Sequence, residues 1–148
     1  MDRKGKRKRK RRDAALSQTS RIPSVKLPLD DQPLSFSFKH LDSDNAKFLL
    51  DSCDAAFYRA LIEKIKDYSS WTIEQFCDEN GNDRRHRIHF PETSEPKGFS
   101  FLANEQLESS EIWQFCLDPM KEWRVHGFII YNTFFIVWLD PGHRLFKK

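Results

Sequence analysis

Trp123-Arg124-Val125-His126-Gly127-Phe128-Ile129-Ile130-Tyr131-Asn132-Thr133-Phe134-Phe135-Ile136-Val137-Trp138-Leu139 is the stretch whose reading decides the fold. It is two runs of β-branched and aromatic residues, Trp123–Tyr131 and Thr133–Leu139, with Tyr131-Asn132 between them as a tight turn. Asn suits that turn because it tolerates the left-handed backbone that hairpins use. In the first run Trp123, Val125, Gly127 and Ile129 point one way and Arg124, His126, Phe128 and Ile130 the other, the two-residue period of a strand. Upstream, Trp113-Gln114-Phe115-Cys116-Leu117 has the same chemistry, and Asp118-Pro119-Met120-Lys121-Glu122 supplies the connection. The region from Ile112 to Phe146 therefore reads as a three-stranded antiparallel meander. It ends in a polar knot, Asp140-Pro141-Gly142-His143-Arg144-Leu145-Phe146, which sets an Arg and two His near one end of one sheet face.

Working outward, Leu34 to Leu41 alternates apolar and polar residues as a half-buried strand does. Asp54 to Tyr68 carries Phe57, Leu61, Ile65 and Tyr68 at helical spacing, with Arg59, Glu63, Lys64, Lys66 and Asp67 on the wet face, and Ser52 or Asp54 available as cap. Thr72-Ile73-Glu74-Gln75 fits a capping box that opens a short second helix, with Trp71 and Phe76 placed as a hydrophobic staple. Between Asn80 and Ser110 the pattern weakens. Asn80 to Asp83 is a turn, Arg84 to Phe90 a basic stretch, and Pro91 to Gly98 a loop. The predicted class is α+β: an N-terminal strand, two helices, then the meander in one sheet, with the helices on one face and the other face partly open.

Length and charge divide the chain. At 148 residues it is of single-domain size. Residues 1–12 hold nine of the 25 Lys/Arg and one of the 22 Asp/Glu. The remainder thus carries 16 basic against 21 acidic residues, about −5, and the overall +3 belongs to the tail. A block of like charge with nothing apolar to bury is expected to stay disordered. Residues 1–33 are read as tail and linker and 34–148 as the folded domain. Arg7, Lys8, Arg9, Lys10, Arg11 and Arg12 suit a phosphate backbone, bound through counterion release, although a merely solubilising tail fits the same residues. No apolar run approaches the roughly 18–20 residues of a membrane helix, so no membrane partner is expected. Cys53, Cys77 and Cys116 have no paired spacing and read as thiols of a reducing, cytoplasmic compartment.

The chemistry sits in the meander. Metal-free cleavage of RNA needs a base for the 2′-hydroxyl, an acid for the leaving 5′-oxygen and a cation for the phosphate. His titrates near neutrality and serves either proton role, and the planar donors of Arg reach two phosphate oxygens together. Arg124, His126 and His143 supply that set, with Arg144 and Lys121 adding charge. The alternatives are an Arg124 ion pair with Glu122 or Asp140, and a His126 satisfied within the sheet. Arg84, Arg85 and Arg87, interleaved with His86, His89 and Phe90, read either as an RNA-contacting strip or as a solvated loop. His86 and His89 with Cys77 are a weak metal pattern, and neither metal nor cofactor is expected.

The order of elements, together with Trp123-Arg124-Val125 and the ending Pro141-Gly142-His143-Arg144-Leu145-Phe146, resembles the RelE/ParE toxin superfamily, most of all its YafQ-like and RelE-like ribonucleases. The ending is one residue shorter between His and Leu than that group's. The resemblance implies a toxin endoribonuclease of a toxin–antitoxin pair, cleaving mRNA free or on the ribosome, with an antitoxin protein as partner. It implies His143 as acid or base, Arg124 on the scissile phosphate, Glu122 near an acidic site position and Phe146 packed by the nucleotide. Two other readings share the fold: a non-catalytic nucleic-acid- or protein-binding module, and a ParE-like gyrase poison, which has no need of His143. The acidic body, the long 80–110 segment and the 33-residue tail depart from the family pattern.

Overall fold

The computed structural model describes residues 31–79, 84–102 and 111–146. The tail cations Arg7 to Arg12 and the turn at 80–83 lie outside the described residues. The elements are β1 (Ser35–Ser37), α1 (Ala55–Tyr68), α2 (Ile73–Phe76), β2 (His86–Arg87), β3 (Glu111–Cys116), β4 (Arg124–Ile130) and β5 (Thr133–Asp140), with short 3₁₀ turns at Leu50–Ser52, Phe90–Glu92 and Arg144–Phe146. Asp54, not Ser52, caps α1, accepting from the Phe57 N–H at 2.8 Å. Thr72 and Gln75 close the reciprocal capping box of α2, a single turn. Among the described residues, no helix is long and apolar enough to cross a membrane.

The architecture is mixed α+β around one open five-stranded sheet in the order β1-β5-β4-β3-β2. The β3–β4–β5 pairs are antiparallel, as the alternation and the Tyr131-Asn132 turn require, and Tyr131 takes the left-handed conformation with φ 54°. The N-terminal strand is shorter than Leu34–Leu41 and pairs parallel with β5 along one edge. Its alternation ends because Phe38 turns out, half exposed, and its carbonyl accepts from the Leu41 N–H at 3.0 Å. The fifth strand, β2, comes from the basic stretch. It pairs His86 with Gln114 and Arg87 with Trp113.

Cores lie on both faces of the sheet. On the helix side Phe57, Leu61, Tyr68 and Phe76 pack against Trp113, Phe115, Val125, Phe134, Ile136 and Leu139. Each fully buried side chain of this size contributes about 1.5–3 kcal/mol. The opposite face, expected to be partly open, is covered. Phe48, Ile88, Phe99 and Leu145 close over Phe128, Val137 and Trp138. The cover is irregular chain, segments 42–50 and 88–102, held by its aromatics: Phe48 stacks on Trp138 at 4.7 Å and Phe99 meets it edge-on at 4.8 Å. The Trp138 indole N–H donates to Asp42 at 3.0 Å, so the polar edge of the ring is satisfied as well.

One irregularity decides the chemistry. The β4–β5 register pairs Gly127 with Ile136 but His126 with Trp138, leaving Val137 as an extra residue. Its carbonyl accepts from the Asp42 N–H at 3.0 Å. An inserted residue reverses the facing of everything beyond it. Strict alternation from Phe134 and Ile136 would point Asp140 into the helix-side core. The bulge turns Trp138 and Asp140 to the other face, beside Arg124 and His126. Gly127 makes the crossing feasible, since a Cβ there would lie 2.1 Å from the Phe135 carbonyl oxygen and 2.5 Å from the Phe134 ring. Gly127→Ala is therefore expected to cost about 3 kcal/mol, the upper part of the overpacking range. A denaturant midpoint unchanged from wild type would contradict this packing.

Candidate active site

The register stacks two rows on the covered face, Cys116–Arg124–Asp140 and His86–Gln114–His126–Trp138. Asp140 joins them. Fully buried, it accepts the His126 Nε2–H at 3.0 Å, the Arg144 N–H at 2.8 Å and the Leu145 N–H at 3.0 Å. Its carboxylate thus holds a buried imidazole on one side and caps the C-terminal 3₁₀ turn on the other. Burial alone would raise its pKa. The hydrogen bond from His126 and the two backbone N–H groups outweigh that and hold it below the usual range. Burial pushes His126 down against the opposing pull of Asp140. The pair is a neutral imidazole donating to a carboxylate.

That pairing has a pH signature. Below about pH 6.5 an unfolded His takes up a proton that the buried His126 resists, so the unfolded state binds more protons and stability rises with pH. The contribution is present in full above that pH and is lost as acid is added. Asp140, depressed in the folded state, adds a loss of the same sign below about pH 3.9. Denaturant midpoints should therefore fall from about pH 7 to 5 and again below about pH 4. A midpoint flat across the first window would contradict a neutral, buried His126.

Asp140 also sets the pose of His143. The chain passes Pro141-Gly142, and His143 takes φ 52°, a left-handed conformation that His adopts more readily than most side chains. Ser94 fixes the turn from outside: its N–H donates to the Leu145 carbonyl at 2.8 Å and its hydroxyl to the Arg144 carbonyl at 2.9 Å. Lys47 bonds to Ser94 and pairs with Glu95 at 3.1 Å, and the Arg144 guanidinium reaches the Lys47 carbonyl at 3.1 Å. His143 itself is half-buried, and its ring has no hydrogen bond to the described residues; it packs 5.4 Å from the Phe146 ring. Partial burial, then the Arg124 charge, lowers its pKa, with Asp140 opposing.

The sequence-predicted residues divide. His143, Phe146, His126 and Arg124 come together at the end of the sheet, but at different depths. Phe146 is at the surface, 36 % exposed, its ring 5.6 Å from His86 and edge-on. Arg124 is 6 % exposed, and its Nη1 donates to the carbonyls of Lys121 (3.1 Å) and Trp123 (3.0 Å) and to Cys116 Sγ (3.3 Å). It staples the β3–β4 connection as well as lending charge to His143. Lys121 and Glu122 are exposed on that connection, Lys121 lying over the Trp123 ring and Glu122 adding a weak opposing charge at His143.

The basic strip of 84–90 is broken up. Arg85 is buried, donating to the carbonyls of Phe76 (2.8 Å) and Asp78 (2.9 Å) with Trp71 4.7 Å away, so it caps α2. Arg87 pairs with Glu79 at 3.5 Å over Trp113. Sequence reasoning offered Asp140 only as a possible partner of Arg124 and missed its bond to His126, because the bulge reverses its facing. It also missed the link between His86 and Gln114 (Nε2···Nε2 2.9 Å), for which a two-residue strand leaves no periodic signal. Among the described residues, no three His, Cys, Asp or Glu side chains are grouped as metal ligands would be. All three cysteines are free, and burial pushes Cys53 up to about 11, so its thiolate is scarce near neutrality. No family model, curated protein or solved structure matches this chain.

Proposed function

We propose that the chain is a RelE-like, metal-independent endoribonuclease, the toxin of a toxin–antitoxin pair, with His143 as its proton-transfer group. The observation that carries the reading is the His143 imidazole: free of hydrogen bonds to the described residues, held neutral, posed by Asp140 and set against the exposed Phe146 ring. In the reaction His143 takes the proton of a 2′-hydroxyl, the 2′-oxygen bonds to phosphorus, and the P–O5′ bond breaks as O5′ takes a proton from a water molecule. Phe146 stacks on a flanking base, and Arg124, with Lys121 and Arg144 at the rim, lowers the cost of the phosphorane charge. The tail cations supply sequence-independent RNA affinity. The antitoxin is a protein covering the His143–Phe146 end of the sheet.

A base held below its ordinary pKa stays competent in mild acid. The cleavage rate should therefore hold its plateau to below about pH 6.5. The experiment is expression of the full chain, followed by growth and RNA integrity, then incubation of the purified protein with RNA and with translating ribosomes. Growth arrest with cut RNA is the expected result. Arrest with intact RNA would instead support gyrase poisoning. The binding-module reading is favoured by one observation, the sealing of Arg124 against backbone carbonyls. A harmless chain that binds RNA without cutting it would establish that reading.

A further inference from the structure

The backbone of His143 sits in the left-handed region, which a side chain other than glycine keeps only where its surroundings over-determine it. Asp140 supplies half of that constraint by accepting the N–H groups of Arg144 and Leu145. Ser94 supplies the other half. Its hydroxyl lies 2.9 Å from both the Arg144 and the Leu145 carbonyl, and its N–H donates to the Leu145 carbonyl at 2.8 Å. The Leu145 carbonyl is thus satisfied by backbone alone, and the distinct partner of the hydroxyl is the Arg144 carbonyl. The peptide unit between Arg144 and Leu145 is gripped at both ends, by Asp140 Oδ2 on its N–H and by Ser94 Oγ on its C=O.

The hydroxyl is aimed as well as placed. The Lys47 ammonium donates to Ser94 Oγ, and an ammonium has donors only, so the hydroxyl proton points away from it, toward the carbonyls. Glu95 holds Lys47 at 3.1 Å, and the Arg144 guanidinium donates to the Lys47 carbonyl at 3.1 Å, closing a circuit of Lys47, Ser94 and Arg144. Ser94 stands on fixed ground. Its neighbour Thr93, 3 % exposed, donates its hydroxyl to the Phe90 carbonyl at 2.8 Å and accepts the Glu95 N–H at 3.1 Å. Phe90 in turn meets Phe99 edge-on at 4.9 Å, within the core over Trp138.

We propose that Ser94 is a positioning residue for His143: its hydroxyl, aimed by Lys47, holds the carbonyl side of the C-terminal turn as Asp140 holds the amide side, and so keeps the imidazole in its pose. The inference rests on the ribonuclease reading for its chemical consequence and on the hydrogen bonds for its existence. Ser94 touches no RNA and moves no proton. Its loss frees the Arg144–Leu145 peptide to rotate and His143 to leave the left-handed region, while both cores stay packed.

The test compares the full-length wild type with Ser94→Ala, Ser94→Thr and Lys47→Met. Ser94→Ala keeps the backbone bond to Leu145 and loses the hydroxyl; Ser94→Thr keeps both. In Ser94→Ala, amide exchange should quicken locally, at Arg144 and Leu145, and the backbone ¹³C shifts of His143 should move. Its kcat should fall by about 10- to 10²-fold with KM unchanged, the effect of misplacing a reacting group by about 1 Å. Ser94→Thr should restore both kcat and the slow exchange, and Lys47→Met should show a smaller loss in the same direction. Unchanged exchange at Arg144 and Leu145 in Ser94→Ala overturns the proposal, as does an undiminished kcat. Exchange that quickens throughout the sheet overturns it too, because Ser94 would then serve stability in general. Wild type that cuts no RNA defeats the ribonuclease reading alone, since the exchange and the His143 shifts still decide the pose.

Discussion

Replacing His143 with Ala is expected to lower RNA cleavage by about 10²–10⁴, the usual worth of one general acid or base, and to leave the fold intact. The imidazole makes no hydrogen bond to the described residues and is half-buried, so its loss removes a modest contact with Phe146. The backbone pose does not depend on it. The Asp140 bonds run to the N–H groups of Arg144 and Leu145, not to the His143 side chain. Thermal melting of the variant close to wild type, with cleavage down by at least about 10², is the predicted pair of results. Cleavage or toxicity undiminished in a folded His143→Ala protein would remove this residue from the mechanism.

Asp140→Ala has the largest expected effect on stability, about 3–5 kcal/mol, because each buried donor it leaves without an acceptor costs about 1–3 kcal/mol. Three donors lose their acceptor together: the His126 Nε2–H and the N–H groups of Arg144 and Leu145. The C-terminal turn loses its cap, so the same change should dislodge His143 and abolish cleavage. Asp140→Asn keeps one carbonyl acceptor and should lose less, which separates the cap from the charge. A midpoint for Asp140→Ala within about 1 kcal/mol of wild type, read by denaturant unfolding, would show that the network does not hold this end of the sheet.

Much of this was legible in the residues. Alternation in Trp113–Leu117, Trp123–Tyr131 and Thr133–Leu139 located the meander, and the Phe57–Leu61–Ile65–Tyr68 stripe located the helix, because both periods follow from backbone geometry. His143 was visible as a His in a Pro-Gly turn after an apolar strand. The Val137 bulge was not legible, since Thr133–Leu139 holds no Gly or Pro to mark it, yet it moves Asp140 from one face to the other. Nor was the second core, because Phe48, Phe90 and Phe99 lie in segments without helical or strand period and find their partners, Trp138 first among them, only in the tertiary structure. Arg85 read as a surface cation for the same reason: only the tertiary structure brings Trp71 and the Phe76 carbonyl to it. The facing of Arg124 followed from the alternation but its depth did not, and its bonds to the Lys121 and Trp123 carbonyls make it part of the turn's stability.

The central claim is that an imidazole site at the end of this sheet cleaves RNA by attack of the neighbouring 2′-hydroxyl without a metal. The most direct measurement is of the ends produced when the purified full chain meets RNA, with and without ribosomes, in excess chelator. The account predicts fragments carrying 5′-hydroxyl and 2′,3′-cyclic phosphate ends in undiminished yield, and no cleavage of a substrate bearing 2′-deoxyribose at the cut site. Fragments with 5′-phosphate ends, cleavage that stops in chelator, or cutting of the 2′-deoxy substrate would contradict it.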